Sequence, residues 1–307
     1  MKANIGRIKG LPAARSTIPH SFGVSGGDMP NAAIRIDPIS GVEERLEHVR
    51  TERGLLYTWC AIPPHSSKCV LVCSSVFGDF TANYSRERAI GLALASKGVA
   101  AMRFHYAGEG NSYGDRGGMT FSSLCDDAAA VLDHARRAGF SEFALLGTRL
   151  GALVAAATAA PIPGLPLCLW EPVEDPRQFL KDAFRAKRIS QTAQAGHAPV
   201  GDWRQELEQN GRLDLLGYDV HPPLLDSLAE INLLTALGTL PRPVFVGRFG
   251  APGKRDDLRH RLAERGFTVE AASYALSESW WFQSELPGEH DDLITASADW
   301  LTRALEP

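Results

Sequence analysis

The stretch that most restricts how this chain can fold is LLGTRLGALVAAATAA, residues 145–160. It reads as the end of a strand, a sharp turn framed by Gly147 and Gly151, and then a helix of small residues. The centre of the turn is Arg149. A strand feeding a helix through so tight a turn points to a βαβ unit and a parallel sheet.

The flanking sequence repeats that rhythm. RLEHVRTERGLLYTWCAIPP predicts two strands around a turn near Arg53–Gly54, and KCVLVCSSV (68–76) is a Val-rich apolar run suited to a buried parallel strand. SRERAIGLALASKG (85–98) has helical spacing and a Gly stop. VAAMRFHYAGEGNS (99–112) reads as strand then Gly-rich loop, and SSLCDDAAAVLDHARRAG (122–139) as an amphipathic helix. LPLCLWEPV (165–173), PRPVFVGRFG (241–250) and FTVEAASYAL (267–276) are further strands, with helices at 255–266 and 292–305. Residues 1–40, rich in Gly, Pro, Ser and Asn, read as a flexible arm. The expected core is 41–173 with 240–307. Between them, 174–239 breaks the sheet rhythm with three helical pieces and reads as a helical insertion.

Composition narrows the function classes. The formal net charge is −4 and basic residues do not gather in one run, so neither nucleic acid nor a membrane surface is indicated. No apolar run is long enough for a bilayer, and the basic start lacks the apolar core of a secretory signal. The five cysteines (Cys60, Cys69, Cys73, Cys125, Cys168) form no CxxC pair, which suits reduced thiols in a cytoplasmic protein. No His/Cys/Asp cluster has metal-ligand spacing. GEGNS lacks the Gly-Lys-Ser/Thr of a phosphate loop, so no cofactor is expected.

Gly147-x-Arg149-x-Gly151 has the frame of a nucleophile elbow, G-x-S-x-G, with arginine in the serine position. Taken in order, FHYAGEGNSYGD, LLGTRLGALVAAATAA and LCLWEPVEDPRQFL resemble α/β-hydrolases of the serine-aminopeptidase-like kind. More narrowly, Gly147–Ala152, Leu169–Val173 and Gly217–Tyr218 resemble motifs of hydrolase-like proteins encoded beside exosortase systems in bacterial exopolysaccharide clusters. The likeness spans roughly residues 45–305 and implies an α/β-hydrolase fold: a mostly parallel sheet flanked by helices, with a lid at 174–239.

That resemblance assigns roles to particular residues. The backbone N–H of Leu150 and the loop Ser75, Val76 and Phe77 stand where an oxyanion hole forms. Asp256 or Asp257 and then His290 follow the chain order acid, histidine; they also suit plain N-terminal charge on a helix and a loop histidine. Arg149 cannot act as a nucleophile, since its guanidinium stays protonated. It reads either as an anchor for a ligand carboxylate, phosphate or sulfate, or as one half of an internal ion pair with Glu171 at the end of the next strand. Ser74 and Ser75 could serve as displaced nucleophiles but fit loop-start serines better. His105 and Ser112 fit packing and turn roles, and Trp280, Trp281 and Phe282 fit pocket lining or core.

Three functions stay open. The chain could bind a carbonyl- or carboxylate-containing small molecule or acyl group with serine hydrolysis lost. It could be an active hydrolase or acyltransferase using a displaced nucleophile or a water activated by His290. It could be a scaffold meeting a protein partner in an export or biosynthetic cluster.

Overall fold

The computed structural model describes residues 32–195, 203–249, 257–274 and 291–306. Strand β1 (Ala33–Ile36) pairs antiparallel with β2 (Glu43–Thr51), and β2 with β3 (Gly54–Ile62) around the Arg53–Gly54 turn. The chain then alternates: β4 (Lys68–Cys73), α1 (Gly78–Ala82), α2 (Tyr84–Ser96), β5 (Ala100–Phe104), α3 (Phe121–Arg137), β6 (Glu142–Thr148), α4 (Gly151–Ala159) and β7 (Leu167–Trp170). An insert follows, made of α5 (Pro176–Ala195), α6 (Trp203–Asn210), a small hairpin of β8 (Leu213–Leu215) and β9 (Tyr218–Val220), α7 (Pro222–Ala229) and α8 (Leu233–Ala236). The sheet resumes with β10 (Pro243–Phe249), α9 (Asp257–Glu264), β11 (Thr268–Tyr274) and α10 (Asp291–Ala304).

The main sheet has the order β1-β2-β3-β5-β4-β6-β7-β10-β11, with β5 through β11 parallel. Its central strands are buried on both faces, as helices on both sides require. This is why β4 and β6 read as unbroken apolar runs rather than alternating ones. Each leucine buried there, such as Leu71, Leu145 or Leu146, contributes roughly 1.5–3 kcal/mol. Helix α3 opens with a capping box in which Thr120 Oγ1 accepts the Ser123 N–H.

Two elements differ from the sequence-based expectation. Part of the expected arm, Ala33–Ile36, is an edge strand. Its side chains, Ile34 and Ile36 included, all stay exposed, so main-chain pairing with β2 holds it. The insert holds the β8–β9 hairpin as well as helices, its register set by a turn with Leu216 at φ 56° and Gly217 at φ 92°.

Candidate functional site

The turn after β6 has the geometry its glycines demand. A Cβ on Gly151 would lie 2.1 Å from the Cys73 carbonyl oxygen, and one on Gly147 would lie 2.5 Å from Ala152 Cα. Only glycine lets α4 pack this close to β4 and β6. Between them Arg149 is forced into the left-handed region at φ 54°, a conformation that costs a non-glycine residue about 1–2 kcal/mol. Its N–H donates to the Trp170 carbonyl at 2.9 Å, and its carbonyl accepts the Val173 N–H at 3.2 Å. Phe77 (φ 59°) and Glu171 (φ 37°), past the C-terminal ends of β4 and β7 on either side of β6, have strained backbones of their own. Such strain gathers where a fold over-determines a site.

The guanidinium of Arg149 meets a carboxylate that sequence reading did not single out. Arg149 Nε donates to Asp79 Oδ2 at 3.1 Å, and Asp79 is fully buried at the start of α1. Ser75 links this pair to the backbone: its Oγ accepts the Leu150 N–H at 3.3 Å and makes a long contact, 3.5 Å, to Asp79 Oδ2. Leu150, Ser75, Asp79 and Arg149 therefore form one connected chain of hydrogen bonds. Burial pushes the Asp79 carboxyl above its ordinary value, against the pull of Arg149 and Ser75. Its second oxygen, Oδ1, is buried with no hydrogen-bond partner among the described residues.

Glu171, the partner expected from sequence, meets Arg149 Nη1 through its backbone carbonyl at 3.4 Å. Its carboxylate accepts the Phe249 N–H at 2.8 Å and lies 3.8 Å from Arg248 Nη1. The strained φ at Glu171 and a 2.7 Å bond from its N–H to the Gly247 carbonyl aim that carboxylate toward β10. Arg248 and Arg261 both clasp Glu174, extending the ionic network into α9. From the insert, Phe179 covers Arg149, its ring centroid 5.6 Å from the guanidinium carbon and stacked on Phe77.

The remaining candidates separate cleanly. In the expected oxyanion loop Ser75, Val76 and Phe77 are all buried. Ser74 Oγ donates to Glu87 Oε2 at 2.7 Å, in a buried ion pair with Arg103 (2.7 Å). His105 is drawn down to about 3 by burial and by Arg103, and its Nδ1 accepts the Asn111 N–H at 2.9 Å. It is neutral and already bonded, a packing residue. Ser112 donates to the His105 carbonyl and accepts the Tyr57 N–H, a turn role. Asp257 is 80% exposed and lies 3.1 Å from Arg261 at i,i+4, the helix-start arrangement. Asp256, His290, Trp280, Trp281 and Phe282 lie outside the described residues. Four of the five cysteines are buried, and burial pushes the thiols of Cys69 and Cys168 up to about 12. Among the described residues no cluster could hold a metal ion, and no helix is long and apolar enough to cross a membrane.

The site is thus an elbow with a fixed cation at its apex and a satisfied backbone donor beside it. A ligand oxygen seeking the Leu150 N–H must displace Ser75 Oγ.

Sheet order, elbow and flanking helices define an α/β-hydrolase fold, and solved structures agree. An esterase from Pyrococcus furiosus superposes with a TM-score of 0.59 at 15% identity, covering 92% of this chain and 100% of its own. Cfl2 from Burkholderia cenocepacia gives 0.59 at 18% identity, covering 90% and 100%. Est1E from Butyrivibrio proteoclasticus gives 0.55 at 15% identity, covering 84% and 98%. No family model matches the sequence. No curated protein matches it either. At these identities the likeness establishes the fold alone.

Proposed function

We propose that this α/β-hydrolase-fold protein binds a carbonyl- or carboxylate-containing small molecule or acyl group beside Arg149 and does not carry out serine hydrolysis. The motif resemblance to exosortase-associated proteins suggests that it does so within a bacterial biosynthetic pathway. One observation carries the reading: the elbow apex is an arginine held by buried Asp79, with Ser75 Oγ already on the Leu150 N–H. A protonated guanidinium cannot form an acyl-enzyme. The 16% of the Arg149 side chain that remains exposed offers a fixed positive charge at the elbow, where a carboxylate or polarised carbonyl is favoured.

A displaced nucleophile has less support. Ser74 and Ser75 are buried at 0% and 1% exposure, and each hydroxyl is directed at a carboxylate inside the protein. The role proposed for His290 and an aspartate is that of a retained remnant of hydrolase machinery.

Activity-based labelling tests the reading. A fluorophosphonate probe should leave the wild-type chain unlabelled, whereas stoichiometric labelling mapped to a serine would overturn the proposal. Arg149→Ser should gain p-nitrophenyl ester hydrolysis that His290→Ala removes. In calorimetry against a panel of aliphatic and aromatic carboxylates, at least one should bind, and Arg149→Gln should weaken it about tenfold, the loss of one charge-assisted contact.

A further inference from the structure

The segment RQFLKDAFRAKR, 177–188, holds five basic residues and one acid in a chain whose net charge is −4. On α5 the spacing sorts them. Arg177, Lys181, Arg185 and Arg188 follow one another by four, four and three residues, which places them in a single stripe about 16 Å long. All four are exposed. Lys187 points elsewhere: it is buried and paired with Glu206 of α6 at 2.6 Å. Arg177 Nε donates to the Ala229 carbonyl, while Lys181, Arg185 and Arg188 have no ion-pair partner among the described residues. The cleft beside them also carries Glu206, paired with Lys187, and Glu208 and Asp226, so cations outnumber carboxylates around it.

The stripe borders a cleft of about 1880 Å³ between α5, α6 and α7. Leu180, Phe184, Trp203, Leu207 and Leu225 supply apolar lining. Phe184 stacks on Trp203 at 4.3 Å, and Arg204 lies over the same indole at 4.5 Å. Phe184 and Arg204 thus both already pack on the Trp203 rings, which disfavours stacking of a nucleobase there. The hollow is concave, so a flat bilayer would touch its rim and miss its apolar floor. About ten residues of α-helix, ~10 Å wide and ~15 Å long, occupy roughly 1200 Å³ and fit within it. The chain's own residues 1–31 carry Lys2, Arg7, Lys9 and Arg15 against Asp28 alone, the same sign as the stripe.

We propose that the cleft between α5 and α6 docks an acidic amphipathic helix of a protein partner, its carboxylates on Lys181, Arg185 and Arg188 and its apolar face on Phe184, Leu207 and Trp203. This is the helix-in-groove mode of recognition. It assigns a partner surface separate from the elbow and does not depend on what Arg149 binds.

Fluorescence anisotropy tests it with a labelled designed peptide of about three helical turns, Glu on one face and Leu and Phe on the other. The control is a shuffled peptide of the same composition without an apolar face. The wild-type chain should bind the amphipathic peptide at least about tenfold tighter than the shuffled one. Lys181→Glu with Arg185→Glu and Arg188→Glu should weaken binding by more than about tenfold, and Trp203→Ala should weaken it about fivefold. Should the charge reversals disturb folding, read by near-ultraviolet circular dichroism, the three glutamine substitutions replace them with the same expected direction. Equal binding of the two peptides, or binding unchanged in the charge variants, overturns the proposal. So does tighter binding to phosphatidylglycerol-containing vesicles or to polyuridylate than to the amphipathic peptide.

Discussion

Helix α5 joins two regions that use cations in opposite ways. Its inward face brings Phe179 down on Arg149, whose Nε is paired with a carboxylate of zero exposure. Its outward face carries Lys181, Arg185 and Arg188 into water with no ion-pair partner among the described residues. A charge removed from water must be matched where it stands, so the elbow pair is part of the fold's own geometry. A charge left in water costs the fold little and remains available to another molecule. Similar side chains thus fix an interior in one place and select a partner in the other.

The sharpest way to break this contrast is to remove one half of the buried pair. Asp79→Ala leaves the Arg149 charge at the elbow without that carboxylate and should cost about 3 kcal/mol or more in urea unfolding. Adding Arg149→Leu should recover most of that loss, because a buried pair replaced by apolar side chains is often near neutral. A loss under about 1 kcal/mol for Asp79→Ala would show that the pair does not hold the elbow. Next in size is Gly151→Ala. Its Cβ would sit 2.1 Å from the Cys73 oxygen and 2.4 Å from that of Ser74, both backbone atoms, so α4 must shift. A loss of about 2–3 kcal/mol is expected, the cost of overpacking a close-packed interior.

These two positions also mark what the sequence could and could not show. Gly147 and Gly151 announced the elbow because a close backbone approach restricts residue type locally, and the alternating apolar runs announced the sheet for the same reason. Asp79 was hidden because it meets Arg149 across 70 residues, and no periodic pattern records such a pairing. A signal existed: an acid in VCSSVFGDF, the loop that faces the elbow. Glu171 drew attention by lying at the end of the next strand, but its backbone at φ 37° turns the carboxylate to the Phe249 N–H. The α5 stripe was equally invisible as a basic run, since its charges are three and four residues apart and gather only on a helix. The β8–β9 hairpin is too short for alternation to reveal it.

Acid titration should separate the two carboxylates of the network by sign. At Glu174 burial raises the carboxyl, but attraction and hydrogen bonds from Arg248 and Arg261 outweigh this and bring it below its ordinary 4.5. The unfolded chain then binds that proton more readily than the folded one. Glu174's contribution is therefore complete above about pH 4.5 and is lost as pH falls through the lowered value. At Asp79 burial wins and the carboxyl lies above its ordinary 3.8. Its contribution is present below pH 3.8 and is lost as pH rises through the raised value. In chemical denaturation across this acid range, Glu174→Gln should flatten the rise of stability with pH, and Asp79→Asn should steepen it. Slopes changing in the same direction for both variants would contradict the charge arrangement drawn here.

The smallest expected effect on stability completes the contrast from the other side. Lys181→Gln, Arg185→Gln and Arg188→Gln each remove a solvated charge that makes no ion pair among the described residues. Each should change unfolding free energy by no more than about 0.5 kcal/mol. Lys187→Gln, three residues or fewer from two of them, removes a buried ammonium 2.6 Å from Glu206 and should cost clearly more. If Lys187→Gln and Arg188→Gln proved equal in thermal denaturation, burial would not be what distinguishes structural from available charge on α5. A large loss at Arg188 alone would make the outward stripe a part of the fold's own support.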